Sequence, residues 1–168
     1  MINKYICACC GDEKEDWPAI AYNSPYPYMN LCDEELENSE ITSESCIIRY
    51  SDETSYFIRV VLVQEVHESC QDLEYGVWIS LSEKNFNEYL ENYHNKDFES
   101  GCFGWLANYL PNYKFDAPIP TNVFIDNKVG RPFIYPHENH DHSFVKDFYN
   151  GISKEEDERR INLVLNRS

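Results

Sequence analysis

Seven cysteines, at positions 7, 9, 10, 32, 46, 70 and 102, are the residues of this 168-residue chain best equipped for chemistry. Cys7 and Cys10 form a Cys-x-x-Cys followed by Gly11, the spacing that lets two thiolates from one tight turn reach a single zinc ion. No second Cys-x-x-Cys follows, so the rest of such a site has to come from elsewhere in the chain. His137, His140 and His142 crowd one short segment, and two of their imidazoles would close a four-ligand structural zinc site. The competing reading of that segment is a polar surface loop without metal. Thioredoxin-like redox chemistry fits less well, because the cysteine pair does not lie between a strand and a helix of a βαβ unit. The odd cysteine count argues against a disulfide framework, and the start Met1 to Cys7 has no apolar leader. Reduced thiols in a cytoplasmic protein are therefore expected.

His67 stands between Glu65 and Glu68, with Cys70 close behind, and a Cys–His nucleophile is conceivable there. A solvated histidine in an acidic strand end is the commoner state of such a residue. The chain carries no glycine-rich phosphate loop, no Gly-x-Ser-x-Gly and no His-Glu-x-x-His. Carboxylates are so numerous that any two meeting would be uninformative. The expectation is a protein that is not an enzyme. An enzymatic alternative would place a cleft at the strand ends near Trp78 and Trp105, two residues that read more readily as core.

The carboxylates matter more collectively. Thirty Asp and Glu face 14 Lys and Arg, for a formal net charge of −16. Between Asp12 and Glu83 there are 17 acidic residues against only Lys14, Arg49 and Arg59, a local net of −14. A direct binder of nucleic-acid phosphates needs clustered cations and is disfavoured. Concentrated like charge repels itself in the folded state, so it opposes folding unless the field is used, for instance to steer a basic partner. Solubility is the plain alternative. Trp17, Tyr22, Tyr26 and Tyr28 lie in this stretch with Pro18, Pro25 and Pro27, and aromatic anchors ringed by charge suit a protein interface. The residues expected to bind a partner are Asp33, Glu34, Glu35, Glu37, Glu40 and Glu44, with Tyr26 and Tyr28 as anchors.

The elements that must position these groups follow from periodicity. Residues 45–50 and 56–66 are rich in Ile, Val and Phe, with a turn at 51–54, and residues 75–81 form a third strand with Trp78 on the face opposite Val77 and Ile79. Ser82 caps a helix reaching about Tyr93, in which Phe86, Tyr89, Leu90 and Tyr93 recur at helical spacing. Residues 103–110 are apolar and ambiguous between strand and helix. Two more strands, 119–125 and 131–135, flank a turn at 126–130. A short helix follows Asp141, and a longer one is opened by the Ser153-Lys154-Glu155-Glu156 capping pattern. The composition, 42 % apolar and 15 % aromatic, can bury a core, and no run of about 18 apolar residues is long enough to cross a membrane. The expected fold is α+β: one domain over residues 1–168, mostly antiparallel sheet, with helices packed on one side.

Several segments occur in a distinctive order: Cys7-x-x-Cys10-Gly11, Ser45-Cys46-Ile47-Ile48, Tyr56-Phe57-Ile58-Arg59, Gly76 to Ser82, Phe103-Gly104-Trp105-Leu106 and Gly130 to Ile134, then His142 and Gly151-Ile152-Ser153. In this the chain resembles a bacterial family catalogued as a domain of unknown function, and Gly-Val-Trp-Ile-Ser-Leu-Ser is the most specific part of the likeness. The resemblance covers most of the chain and brings no established activity. It implies a metal site marked by Cys7, Cys10 and His142, although many members have a histidine shortly after the cysteine pair where this chain has Lys14. Cys46 is a replacement ligand to consider, with an inert buried thiol as the alternative. Acidic bacterial domains of this size also resemble immunity proteins, which neutralise a toxin. The leading expectation is an immunity protein that binds a basic toxin domain, in particular a nuclease; the alternative is a small zinc-stabilised cytoplasmic domain.

Overall fold

The computed structural model describes residues 4–7, 10–15 and 19–165. Two short strands, β1 (Lys4–Ile6) and β2 (Glu13–Glu15), pair only with each other among the described residues. β3 (Ile20–Ala21), a 3-10 helix (Tyr26–Asn30), α1 (Asp33–Asn38) and β4 (Glu40–Ile41) then lead into the main strands. These are β5 (Ser45–Arg49), β6 (Thr54–Gln64), β7 (Leu73–Leu81), β8 (Glu99–Leu106), β9 (Pro120–Asp126) and β10 (Phe133–Pro136). α2 (Glu83–Glu91) lies between β7 and β8, and α3 (Ser143–Asn150) and α4 (Lys154–Leu165) end the chain.

β6 and β7 form the longest pairing, nine antiparallel partners from Tyr56↔Leu81 to Gln64↔Leu73. β7, β8, β9 and β10 then follow in order, and β10 returns to β6 through a parallel contact at Phe133↔Val61. Five strands thus close on themselves. The α+β class is as expected, but the plain antiparallel sheet is corrected to a mixed, closed five-strand barrel, with β5 and β4 added beyond β6 and the two-residue β3 running parallel to β7. Closure has a physical cause in the residues. Ile58, Val60, Leu62, Val77 and Ile79 are fully buried on one face of the β6–β7 pair and need an apolar surface all around them. Leu106, Ile119, Val123, Ile125 and Ile134 supply it from β8, β9, β10 and their connections. Gly104 permits the tight approach of β8 to β7, because a Cβ there would stand 3.0 Å from the Ser80 carbonyl oxygen.

Helices also enter this core rather than covering one face. Phe86 and Tyr89 of α2, Phe144 and Val145 of α3 and Ile161 of α4 belong to it. The expected caps form: Ser82 Oγ accepts from the Asn85 N–H, and Ser153 Oγ from the Glu156 N–H. No described helix is long and apolar enough to cross a membrane.

A second, smaller core lies on the other face of the sheet. Cys46 and Ile48 of β5, Phe57 of β6 and Trp78 of β7 pack together there, and Tyr22, Tyr28, Leu31 and Ile41 lean on them. Burial pushes the Cys46 thiol up to about 12 from its ordinary 9.0. The native state holds a proton that the unfolded chain releases, so this contribution to stability is intact below pH 9 and is lost as pH rises toward 12. Urea unfolding across this range should show stability falling by about 1.4 kcal/mol per pH unit from this one thiol. Tyr89 and Tyr113, whose hydroxyls burial also shifts upward, steepen the loss above pH 10. Stability that stays level from pH 9 to 12 would show that Cys46 is solvated.

Candidate functional site

The acidic segment and its neighbours form a surface whose parts have distinct duties. Leu31 and Tyr28 pack against the second core and fix the 3-10 helix, in which Tyr26 and Met29 share one ridge three residues apart. Both project outward, 42 % and 70 % exposed. α1 follows, with Asp33, Glu34 and Glu35 in its first turn, where carboxylates are stabilised by the helix dipole. Glu35 also accepts from the Cys32 N–H at 3.0 Å, which fixes the helix start. Asp33, Glu34 and Glu37 are exposed and make no ion pair among the described residues. Leu36, on the same short helix, is exposed among them.

Other residues expected to bind a partner are engaged within the fold. Glu40 pairs with Arg49 at 3.0 Å, and Glu44 makes a two-pronged bond to Arg131 at 2.6 and 3.0 Å. Tyr28 is half-buried as part of the second core's cover. The structure therefore leaves Asp33, Glu34, Glu37 and Tyr26 available for a partner. Trp17 and Pro18 lie outside the described residues.

Beside Tyr26 stands a group of aromatics that the sequence reading missed. Tyr26 meets the Tyr109 ring at 4.3 Å, and Tyr109 meets Phe115 at 5.6 Å. Trp105, read above as core, is 45 % exposed on β8 and makes a T-shaped contact with the equally outward Phe103 at 5.0 Å. Strand alternation explains this, since Gly104 and Leu106 face the barrel interior and their neighbours must face out. Phe124 of β9 and Tyr135 of β10 continue the exposed strip, 5.3 Å apart. Tyr26, Pro27, Trp105, Tyr109 and Pro118 line a cleft of about 220 Å³ with Phe57 among its walls. The missed signal was the strand assignment itself: once residues 99–106 are a strand, positions 103 and 105 share one face.

Trp78, by contrast, is wholly buried. His67 Nε2 lies 2.7 Å from the Asn150 carbonyl oxygen, beside Gly151, whose φ of +79° and lack of a Cβ make room for the imidazole.

The expected metal-site residues separate. His142 lies one residue before α3, where its Nδ1 accepts from the Phe144 N–H at 3.0 Å while its Nε2 donates to the Lys114 carbonyl at 2.7 Å. With both nitrogens engaged and its ring stacked on Phe115, it is a helix cap rather than a partner of the cysteines. His137 Nε2 lies 3.0 Å from Asn122 Oδ1, also away from them. Cys46 is sealed in the second core. The residue that does join Cys7 and Cys10 is Cys70, from the turn between β6 and β7; all three sulfurs lie within 4.8 Å of one another. Cys9 lies outside the described residues.

No curated protein and no solved structure matches the chain. The family resemblance carried by the cysteine pair, the Gly76 to Ser82 strand end and the Gly151-Ile152 strap is matched over residues 6–152, which takes in the whole barrel, the aromatic cleft and all three clustered thiols. The chain belongs to a family of uncharacterised proteins conserved in bacteria (DUF2199).

Proposed function

We propose that this protein is an immunity protein, which binds a basic toxin domain, a nuclease, and blocks it through the surface formed by the 3-10 helix, α1 and the exposed face of β8. The observation that carries this reading is the coincidence of uncompensated charge with exposed aromatics. Asp33, Glu34 and Glu37 have no cationic partner among the described residues, and beside this stretch Tyr26, Trp105 and Tyr109 line an apolar cleft. A nuclease must present cations to hold phosphates, so the α1 carboxylates complement its surface and speed encounter. The cleft then provides the desolvated centre where aromatic anchors concentrate binding energy.

The test is calorimetric titration of the chain with basic nuclease toxin domains, beginning with any encoded next to its gene. Trp105→Ala is expected to weaken binding by roughly 30-fold, the effect of a central aromatic anchor worth about 2 kcal/mol. Because Trp105 is largely exposed, the thermal midpoint of the free protein should barely change. Unaltered affinity in this variant would remove the cleft from the interface.

A further inference from the structure

A second site is independent of the partner-binding surface. We propose that Cys7, Cys10 and Cys70 are three thiolate ligands of one zinc ion, whose fourth position opens into the acidic cleft beside them and is filled by water or a cleft carboxylate.

The turn after β1 is built as a metal knuckle. The Cys7 N–H donates to the Asp12 carbonyl at 2.9 Å and the Gly11 N–H donates to the Cys7 carbonyl at 2.8 Å, and Gly11 takes a φ of +75° that favours glycine. This fold-back sets Cys10 beside Cys7, where its sulfur accepts from the Asp12 N–H and meets the thiols of both Cys7 and Cys70. Backbone N–H groups aimed at sulfur are the second-shell contacts that stabilise a metal thiolate. Cys70 approaches from a different part of the chain, the turn that connects β6 to β7, so the third donor is delivered by tertiary structure. Its own turn is fixed locally, as Ser69 Oγ donates to the Gln71 carbonyl and the Val66 N–H donates to Asp72.

Three converging sulfurs select a soft or borderline ion. Among the described residues three sulfurs converge, a donor set that matches a mononuclear ion. Zinc is satisfied by three protein donors plus an exchangeable fourth. Cys7 is buried while Cys10 and Cys70 are exposed, so the open side of the triangle faces solvent. There, Asp12, Glu13, Glu68, Lys154 and Glu158 help to line a cleft of about 520 Å³.

The site also has a structural use. β1 and β2 are three-residue strands that pair with no other strand among the described residues, and an isolated hairpin of this size is marginal in water. A zinc ion held by Cys7 and Cys10 on one side and Cys70 on the other would join the hairpin to the barrel, with metal affinity contributing directly to folding.

The experiment uses the full-length reduced protein, stripped with chelator and titrated with Co²⁺ and then Zn²⁺. We expect saturation at one ion per chain, a thiolate-to-cobalt charge-transfer band, its loss on adding Zn²⁺, and indifference to excess Mg²⁺. Cys70→Ser should lower affinity by more than the roughly 100-fold that second-shell changes reach. Cys32→Ser and Cys102→Ser should leave it unchanged. If Cys70→Ser does not fold, the ion count of the unaltered chain and the same titration of the exposed Cys10→Ser decide the matter. Metal uptake without a thiolate band, uptake displaced by Mg²⁺, or affinity unchanged in Cys70→Ser or Cys10→Ser would each overturn the site and assign the metal to surface carboxylates.

Discussion

Replacing Trp78 with alanine is expected to destabilise the protein by about 3–5 kcal/mol, the range for a fully buried tryptophan. The indole is the largest fully buried side chain and the centre of the second core, against Cys46, Ile48 and Phe57. Its Nε1–H donates to the Tyr22 carbonyl at 3.0 Å, which ties the segment before the 3-10 helix to β7. Its backbone N–H donates to Asn108 Oδ1 at 2.8 Å, and Asn108 Nδ2 in turn donates to the Ser24 carbonyl at 3.0 Å. Two connections therefore hold the Tyr26 segment to the barrel through one residue. Domains of this kind are stable by about 5–15 kcal/mol in all, so Trp78→Ala should shift the urea midpoint far down. Trp78→Phe keeps most of the apolar volume and loses one hydrogen bond, so it should cost about 1–2 kcal/mol beyond its smaller volume effect. Equal effects of the two substitutions would contradict this account, because the cavity left by alanine is what separates them.

The second large effect is expected at Arg160, which α4 buries almost completely. Its Nε donates to Glu156 at 2.8 Å, Nη1 donates to the Tyr75 hydroxyl at 3.2 Å, and Nη2 donates to the Tyr113 hydroxyl, with Asp147 at 3.4 Å. The guanidinium carbon also lies 5.0 Å from the Tyr113 ring centre. The Tyr113 hydroxyl donates to Asp147 Oδ2 at 2.6 Å, so one cation connects α4, α3, β7 and the loop before β9. Arg160→Ala should destabilise toward the lower end of the about 3–5 kcal/mol seen when a buried ion pair loses one partner. The lower end applies because Glu156 keeps Arg159 and because Asp147 is 43 % exposed. Arg160→Met restores the packing and leaves the buried Tyr75 hydroxyl without this donor, a cost of about 1–3 kcal/mol. Arg160→Lys cannot reproduce the planar fork and should resemble Met more than the native chain. Denaturant unfolding of the three variants checks the order, and a loss under 1 kcal/mol in Arg160→Ala would mean that the network is not coupled to the fold.

What the sequence made legible was local. Alternation in β6 and β7, the Ser82 and Ser153 caps and the turn at 126–130 all depend on neighbours within a few residues, and each appears in the fold. Barrel closure was not legible, because β10 meets β6 in a short parallel contact between residues some seventy positions apart. The same distance hid the third sulfur. Cys70 has no spacing partner of its own, whereas His142 sits in a histidine-rich run that imitates a ligand set and in fact caps α3. The acidic segment was legible as a charge density but not in its division of labour. Arg49 and Arg131 claim Glu40 and Glu44 only once the sheet is assembled.

The proposed binding surface makes salt the sharpest probe. The affinity of the chain for the proposed partner, a basic toxin domain, should be measured across a salt series, for the native protein and for the combined variant Asp33→Lys, Glu34→Lys, Glu37→Lys. These three carboxylates are chosen because no internal ion pair or cap among the described residues depends on them. The predicted result is native binding that weakens steadily with salt, and a variant whose association is slowed by roughly tenfold or more at low salt and depends little on salt thereafter. Tight binding that is equally strong at all salt concentrations and indifferent to the three reversals would contradict the proposal that this acidic face holds the toxin.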